Sequence, residues 1–105
     1  MPLNPSQPGT VLKFKARPGK GDRLFQLTND LHFTGDPDGP TDWVLCRDDE
    51  DLDTLWAFEF YKDDASFERH FANPVIDANH DEVIELLAEQ PMRVKVRPTF
   101  SGFSS

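Results

Sequence analysis

The sequence is poor in cysteine, in basic residues and in long apolar stretches. Its single cysteine, Cys46, cannot form an internal disulfide, and no charged-then-apolar leader precedes it, so a reducing cytoplasm is expected. Only 11 of the 105 residues are Lys or Arg, against 19 Asp or Glu, and the net charge of -8 argues against nucleic acid as a partner. No apolar run approaches the ~20 residues that span a bilayer, so no membrane partner is predicted either.

The sequence does contain enough aromatic side chains for a core. Nine residues are Phe, and a length of 105 residues fits one domain of ordinary size. Residues 1–9 include three prolines, which predict a disordered or extended N-terminal tail. We expect residues 10–98 to form the domain and residues 99–105 to form a C-terminal tail.

The spacing of apolar residues predicts alternating strands and helices. Alternating or continuous apolar runs predict four strands, over residues 10–17, 42–47, 54–62 and 92–97. Apolar residues three and four positions apart predict helical segments over residues 22–32, 65–72 and 74–89. Asp22 is predicted to be the N-cap of the first helix and Gly35 its stop, and Asp63 suits the N-terminus of the next helix.

This order of elements predicts the fold class. A strand, helix, strand, strand, helix, strand sequence with right-handed crossovers gives an α+β ferredoxin-like βαββαβ fold: a four-stranded antiparallel sheet with two helices on one face. The second and third strands are apolar on both faces, so the alternation does not show which face the helices cover. The other face must be buried too, and burial against a second copy predicts a homodimer packed sheet against sheet.

No metal site is predicted. The acidic run Asp48–Asp51 lacks the glycine and the distal glutamate that a calcium loop needs, so we interpret it as a solvated loop. The three histidines and Cys46 lack the close spacing of zinc ligands.

The segment from Glu59 to His70 holds the candidate chemistry. Glu59 lies in an apolar strand, where it is either a base or a structural hydrogen-bond acceptor, and Tyr61 shares its side of that strand. His70 follows Phe67 by three positions, so both lie on one helix face, and His70 is either catalytic or structural.

These residues resemble the antibiotic biosynthesis monooxygenase family. Members carry Glu-x-Trp at the end of the third strand, then a helix with an aromatic residue or Leu and, three positions on, a His. Glu59 and Tyr61 stand at the Glu and Trp positions, with Tyr replacing Trp, and Phe67 and His70 stand at the other two. The resemblance covers roughly residues 10–98 and includes the matching segments Pro18-Gly19-Lys20 and Asp38-Gly39.

The resemblance implies a dimeric α/β barrel and a monooxygenase that needs no metal or other cofactor. Its implied substrate is a small aromatic molecule, polyketide-like or a quinol. It assigns His70 as the base or proton relay, with Tyr61 as its catalytic partner. The implied substrate-binding residues are Trp56, Glu59, Phe67 and His80.

Other functions on the same scaffold stay open. One branch of the family degrades haem, and His80 falls at the position of its haem ligand. That branch has Trp where this chain has His70 and Asn where it has Val11, which disfavours haem degradation but leaves haem binding through His80 open. An isomerase, or a non-catalytic dimeric binding or accessory protein, also fits the fold.

Overall fold

The computed structural model describes residues 3–32 and 36–102, without the side chains of residues 75–80. The predicted helix stop Gly35 and the side chain of His80 therefore lie outside the described residues. The elements in chain order are β1 (Gly9–Lys15), α1 (Gly21–Leu31), β2 (Asp42–Arg47), β3 (Thr54–Phe60), α2 (Asp64–Phe71), α3 (Pro74–Leu86) and β4 (Met92–Val96). This order confirms the predicted ferredoxin-like fold.

The four strands form one antiparallel sheet in the order β2-β3-β1-β4. The register places Glu59 of β3 between Thr10 of β1 and Trp43 of β2. Successive side chains of a strand point to opposite faces, and the buried set of β3, which includes Leu55 and Glu59, points toward the helices. The structure thus settles which face of β3 the helices cover.

The hydrophobic core lies between this sheet face and the helices. Its buried members are Ala16, Leu24, Leu27, Leu55, Val83 and Leu87. The second crossover contains two helices, as the predicted segments 65–72 and 74–89 indicate, because Pro74 lacks an N–H and begins α3 directly after the break at Asn73. The predicted fold class counts these two segments as one helix of the pair that covers the sheet.

The helix N-termini are capped in two different ways. The side chain of Asp63 accepts a hydrogen bond from the Ser66 N–H at 2.8 Å, as the sequence predicts. Asp22 is not the N-cap of α1, which corrects the prediction: Lys20 holds that position and makes no side-chain cap. The carboxylate of Asp53 instead accepts from the Gly19 and Gly21 N–H groups at 3.1 and 2.9 Å, so a distant loop caps α1.

The outer face of the sheet remains apolar and partly exposed. Val44, Met92 and Val94 are 44 %, 42 % and 46 % exposed, and the register places them on the same face as the half-buried Phe58. Within the described residues, no helix is both long enough and apolar enough to cross a membrane.

The N-terminal segment from Leu3 to Pro8 lies against the domain. Leu3 and Pro8 are buried, and the Leu3 N–H donates to the Ser101 hydroxyl oxygen at 3.1 Å. The Pro8 carbonyl accepts from the Tyr61 N–H at 2.9 Å, next to the start of β1 at Gly9. The segment thus holds the end of β3 in place.

Replacing Gly21 with Ala is expected to lower the free energy of unfolding by about 1–3 kcal/mol. A Cβ there would lie 2.8 Å from the Asp53 Cα and 2.9 Å from the Leu52 carbonyl oxygen, both backbone atoms that cannot rotate away. Gly102→Ala is the control, because a Cβ at that position meets open space. Equal urea-unfolding midpoints for the two variants would contradict this packing.

Candidate active site

A cavity of about 190 Å³ lies where the end of α1, the following loop, β3 and α2 meet. Its lining is mostly apolar with a few polar groups, as in small-molecule sites. The lining residues are Leu12, Thr28, Leu31, His32, Asp36, Gly39, Pro40, Glu59, His70 and Phe71.

One side of the cavity holds a buried histidine–glutamate pair. His32 follows the last residue of α1, and its Nε2 contacts the Glu59 Oε2. The two side chains are only 6 % and 10 % exposed. The His32 Nδ1 donates to the Thr28 carbonyl oxygen at 2.8 Å. The indole ring of Trp43 packs against the imidazole, with ring centroids 4.2 Å apart, so His32 is held in one orientation.

These contacts require a proton between His32 and Glu59. The Thr28 carbonyl oxygen can only accept a hydrogen bond, so the His32 Nδ1 carries a proton. If the ring were neutral, its Nε2 would carry no proton, and two acceptors, Nε2 and the Glu59 carboxylate, would face each other. Burial alone lowers the pKa of His32, but the hydrogen bonds to Glu59 and Thr28 and the Glu59 charge together raise this pKa above its usual 6.5. The pair therefore retains an extra proton to higher pH than a free histidine does.

The other side holds a histidine–aspartate pair. The His70 Nδ1 donates to the Asp36 Oδ2 at 2.8 Å, and these side chains are 13 % and 10 % exposed. The Asp36 Oδ1 accepts from the Asp38 N–H at 2.9 Å. Desolvation raises the pKa of Asp36, but the Asp38 amide and His70 outweigh it, and the net pKa lies below its ordinary value. Asp36 is therefore ionised, and it leaves the Nε2 of a neutral His70 as a proton acceptor.

Tyr61 lies between the two pairs. It is fully buried, its hydroxyl is 3.5 Å from the Glu59 Oε1, and its ring centroid is 5.2 Å from that of His70. Burial and the neighbouring Glu59 raise the pKa of the phenol far above its usual value of 10.0. The Tyr61 hydroxyl therefore keeps its proton and can donate a hydrogen bond to Glu59.

The structure brings some of the predicted site residues together and separates others. Glu59 and His70 line the cavity, and Tyr61 contacts both. Phe67 packs edge-on against Tyr61, at 5.1 Å, and is not among the residues that line the cavity. Trp56 lies on the opposite face of the sheet, where its indole N–H donates to the Asp48 carboxylate at 2.9 Å.

Two cavity residues escaped the sequence analysis, His32 and Asp36. Their partners are 27 and 34 positions away, so no local motif contains both members of either pair. His32 could have been identified from its position four residues after Thr28, which places it at the end of the apolar stripe of α1. Among the described side chains, which exclude those of residues 75–80, no group of three or more His, Cys, Asp or Glu residues could hold a metal ion.

Comparison with known proteins supports the sequence resemblance. The family model described as "Antibiotic biosynthesis monooxygenase" matches residues 9–89, from the start of β1 to beyond the end of α3. A comparison with curated protein sequences finds no match.

Solved structures share the fold. A putative antibiotic biosynthesis monooxygenase from Chloroflexus aurantiacus has a TM-score of 0.77 and 21% identity over 93% of this chain and 98% of its own. A putative antibiotic biosynthesis monooxygenase from Nitrosomonas europaea has a TM-score of 0.79 and 16% identity, with 92% and 94% covered. A mutant form of SnoaB, a cofactor-independent oxygenase from Streptomyces nogalater, has a TM-score of 0.79 and 15% identity, with 92% and 97% covered.

The His32–Glu59 pair is expected to make stability fall as pH rises. Because the pKa of His32 is raised on folding, the pair's contribution is complete below about pH 6.5 and is lost as the pH rises through the folded-state pKa. Urea unfolding from about pH 6 to about pH 9 should show a steeper loss for the wild type than for His32→Gln.

Glu59→Gln removes the partner carboxylate and leaves the burial that lowers the pKa of His32, so its loss of stability with rising pH should also be smaller than that of the wild type. A wild-type slope no steeper than that of either variant would contradict the shared proton.

Proposed function

The chain belongs to the antibiotic biosynthesis monooxygenase family, and we propose that it is a cofactor-independent monooxygenase of a small electron-rich phenol or quinol. The observation that carries this proposal is the Asp36–His70 pair at the edge of an apolar cavity. An ionised Asp36 that fixes the imidazole tautomer makes His70 Nε2 a suitable general base.

The chemistry requires little else from the protein. His70 removes the phenol proton, and the electron-rich phenolate gives one electron to dioxygen. The two radicals then combine as a carbon–oxygen bond to form a peroxide. Loss of water from that peroxide leaves a quinone, so phenol and dioxygen become quinone and water. Apolar walls such as Leu12, Leu31 and Phe71 keep bulk water from the peroxide.

The cavity size favours the smaller of the implied substrates. Pockets for drug-sized ligands occupy roughly 300–1,000 Å³. A cavity of about 190 Å³ instead suits a molecule of one or two rings, such as a simple quinol, better than a multi-ring polyketide. The Phe71 ring offers an aromatic face to such a ring at the cavity wall.

We also propose that the protein is a homodimer formed through the outer face of the sheet. Leaving this face in water would forgo on the order of 25 cal/mol for each Å² of apolar surface. Val44 of β2 and Val94 of β4 lie at opposite edges of the sheet, so the exposed patch extends across its whole width. The single Cys46 supports a reducing compartment, the cytoplasm, as the location.

Replacing His70 with Gln is expected to reduce turnover by about 10²-fold or more, the scale of a lost general base. Gln keeps an N–H for Asp36, so the melting temperature should change little. The assay is oxygen uptake with a panel of one- and two-ring quinols in metal-free, flavin-free buffer. Glu68→Gln, on the exposed side of α2, is the matched control and should keep wild-type turnover.

Full turnover with reduced stability in His70→Gln would remove His70 from the catalytic site. Quinol binding by the wild type without oxygen uptake would instead support a non-catalytic binding protein on the same fold.

Light scattering at micromolar concentration is expected to give twice the 12.0 kDa mass of the chain. Val94→Glu places a charge in the part of the apolar patch that β4 contributes and should shift the protein toward a monomer. Leu52→Glu is the control, because Leu52 is 63% exposed in the loop before β3. A wild-type mass near 12.0 kDa would contradict the dimer.

A further inference from the structure

The two histidine–carboxylate pairs of the cavity differ in which nitrogen is available. In the Asp36–His70 pair, Nδ1 faces the carboxylate and Nε2 of the neutral ring has a free lone pair. In the Glu59–His32 pair, Nδ1 is used by the Thr28 carbonyl and Nε2 faces the carboxylate. The first pair is therefore built to accept a proton and the second already holds one.

We propose that the His32–Glu59 pair is the proton donor of the reaction and acts opposite the Asp36–His70 base. This inference rests on the proposed function and extends it with a residue, His32, for which the family motif has no counterpart.

The proton balance of the reaction involves both a group that accepts a proton and a group that donates one. Conversion of a phenol and dioxygen to a quinone and water takes two protons from the substrate, one from oxygen and one from a ring carbon. It adds two protons to the outer oxygen of the peroxide, which leaves as water. A peroxide anion that receives no proton is a poor leaving group, so a donor must be present while the base is still protonated by the substrate.

Glu59 is placed to deliver the proton. Its side chain lines the cavity, and among the described residues its Oε1 contacts the Tyr61 and Thr10 hydroxyls, both at 3.5 Å. That distance is at the outer limit of hydrogen bonding, so Oε1 retains capacity for a bound oxygen species. His32 passes its Nε2 proton to Glu59, and the carboxyl group turns the protonated oxygen to the peroxide and gives the proton up. This leaves a Glu59 carboxylate beside a neutral His32.

Two properties of the surroundings keep His32 ready for this role. The Thr28 carbonyl and the Trp43 ring hold its imidazole in one orientation, so Nε2 always faces Glu59. The side chains of the pair are only 6 % and 10 % exposed, which limits exchange of the proton with bulk water during the reaction. The ring-carbon proton joins the departing hydroxide as water, so the reaction ends with one extra proton on His70 and one proton missing from the His32–Glu59 pair. After product release, solvent restores the proton to the pair and removes the one held by His70.

The test separates deprotonation of the substrate from its oxygenation. Anaerobic binding of a quinol whose phenolate absorbs at longer wavelength measures the base alone, and oxygen uptake measures the full reaction. Glu59→Gln should keep the phenolate band but lower oxygen uptake and quinone formation by about 10²-fold per folded molecule. His70→Gln should lose the band itself.

His32→Gln provides a second variant that should match Glu59→Gln, and it serves alone where Glu59→Gln fails to fold. Glu82→Gln is the matched control, because that exposed glutamate pairs with Arg23 outside the cavity.

The outcomes distinguish this inference from the proposed function. Oxygen uptake by the wild type, with uptake by Glu59→Gln or His32→Gln within twofold of it, would overturn the donor alone. Loss of the phenolate band in these variants would show that the pair takes part in deprotonating the substrate, and this too would overturn its role as proton donor. No uptake by the wild type on any quinol would overturn the proposed function, and the donor with it.

Discussion

Glu59 is a buried carboxylate on the sheet face that the helices cover, and the rest of the site is arranged around it. An ionised group shielded from water costs several kcal/mol unless it is paired and hydrogen-bonded. His32 supplies that pairing, which requires α1 to end over the C-terminal end of β3. The Thr28 carbonyl and the Trp43 ring then fix the imidazole, so the position of one buried acid sets the last turn of a helix.

The end of α1 also positions the second pair. The chain that leaves His32 returns through Asp36, which meets His70 on α2. Tyr61 lies between the pairs, with its hydroxyl near Glu59 and its ring near His70, and the Pro8 carbonyl holds its backbone N–H. The site therefore forms only through the crossovers, which bring the C-terminal ends of α1 and α2 over the same strand.

The elements and their topology could be predicted from the sequence, because apolar periodicity records which side of a strand or helix is buried. The orientation of β3 could not, since both of its faces are apolar. Alternation alone places Trp56 on the opposite face from Glu59, but it does not show which of the two faces the cavity. The motif found Glu59 and His70 because they are close in sequence. It missed His32 and Asp36, whose partners are brought near only by the fold.

The protonation of the two cavity histidines follows from their hydrogen bonds, and nitrogen-15 NMR of the imidazole rings at neutral pH measures it directly. Protons on both nitrogens of His32, or a strongly downfield proton shared with Glu59, are the predicted result, together with a neutral form of His70 that carries its proton on Nδ1. A His32 whose Nε2 is bare and unshared, or a neutral His70 protonated at Nε2, would contradict the assignment of one pair as donor and the other as base.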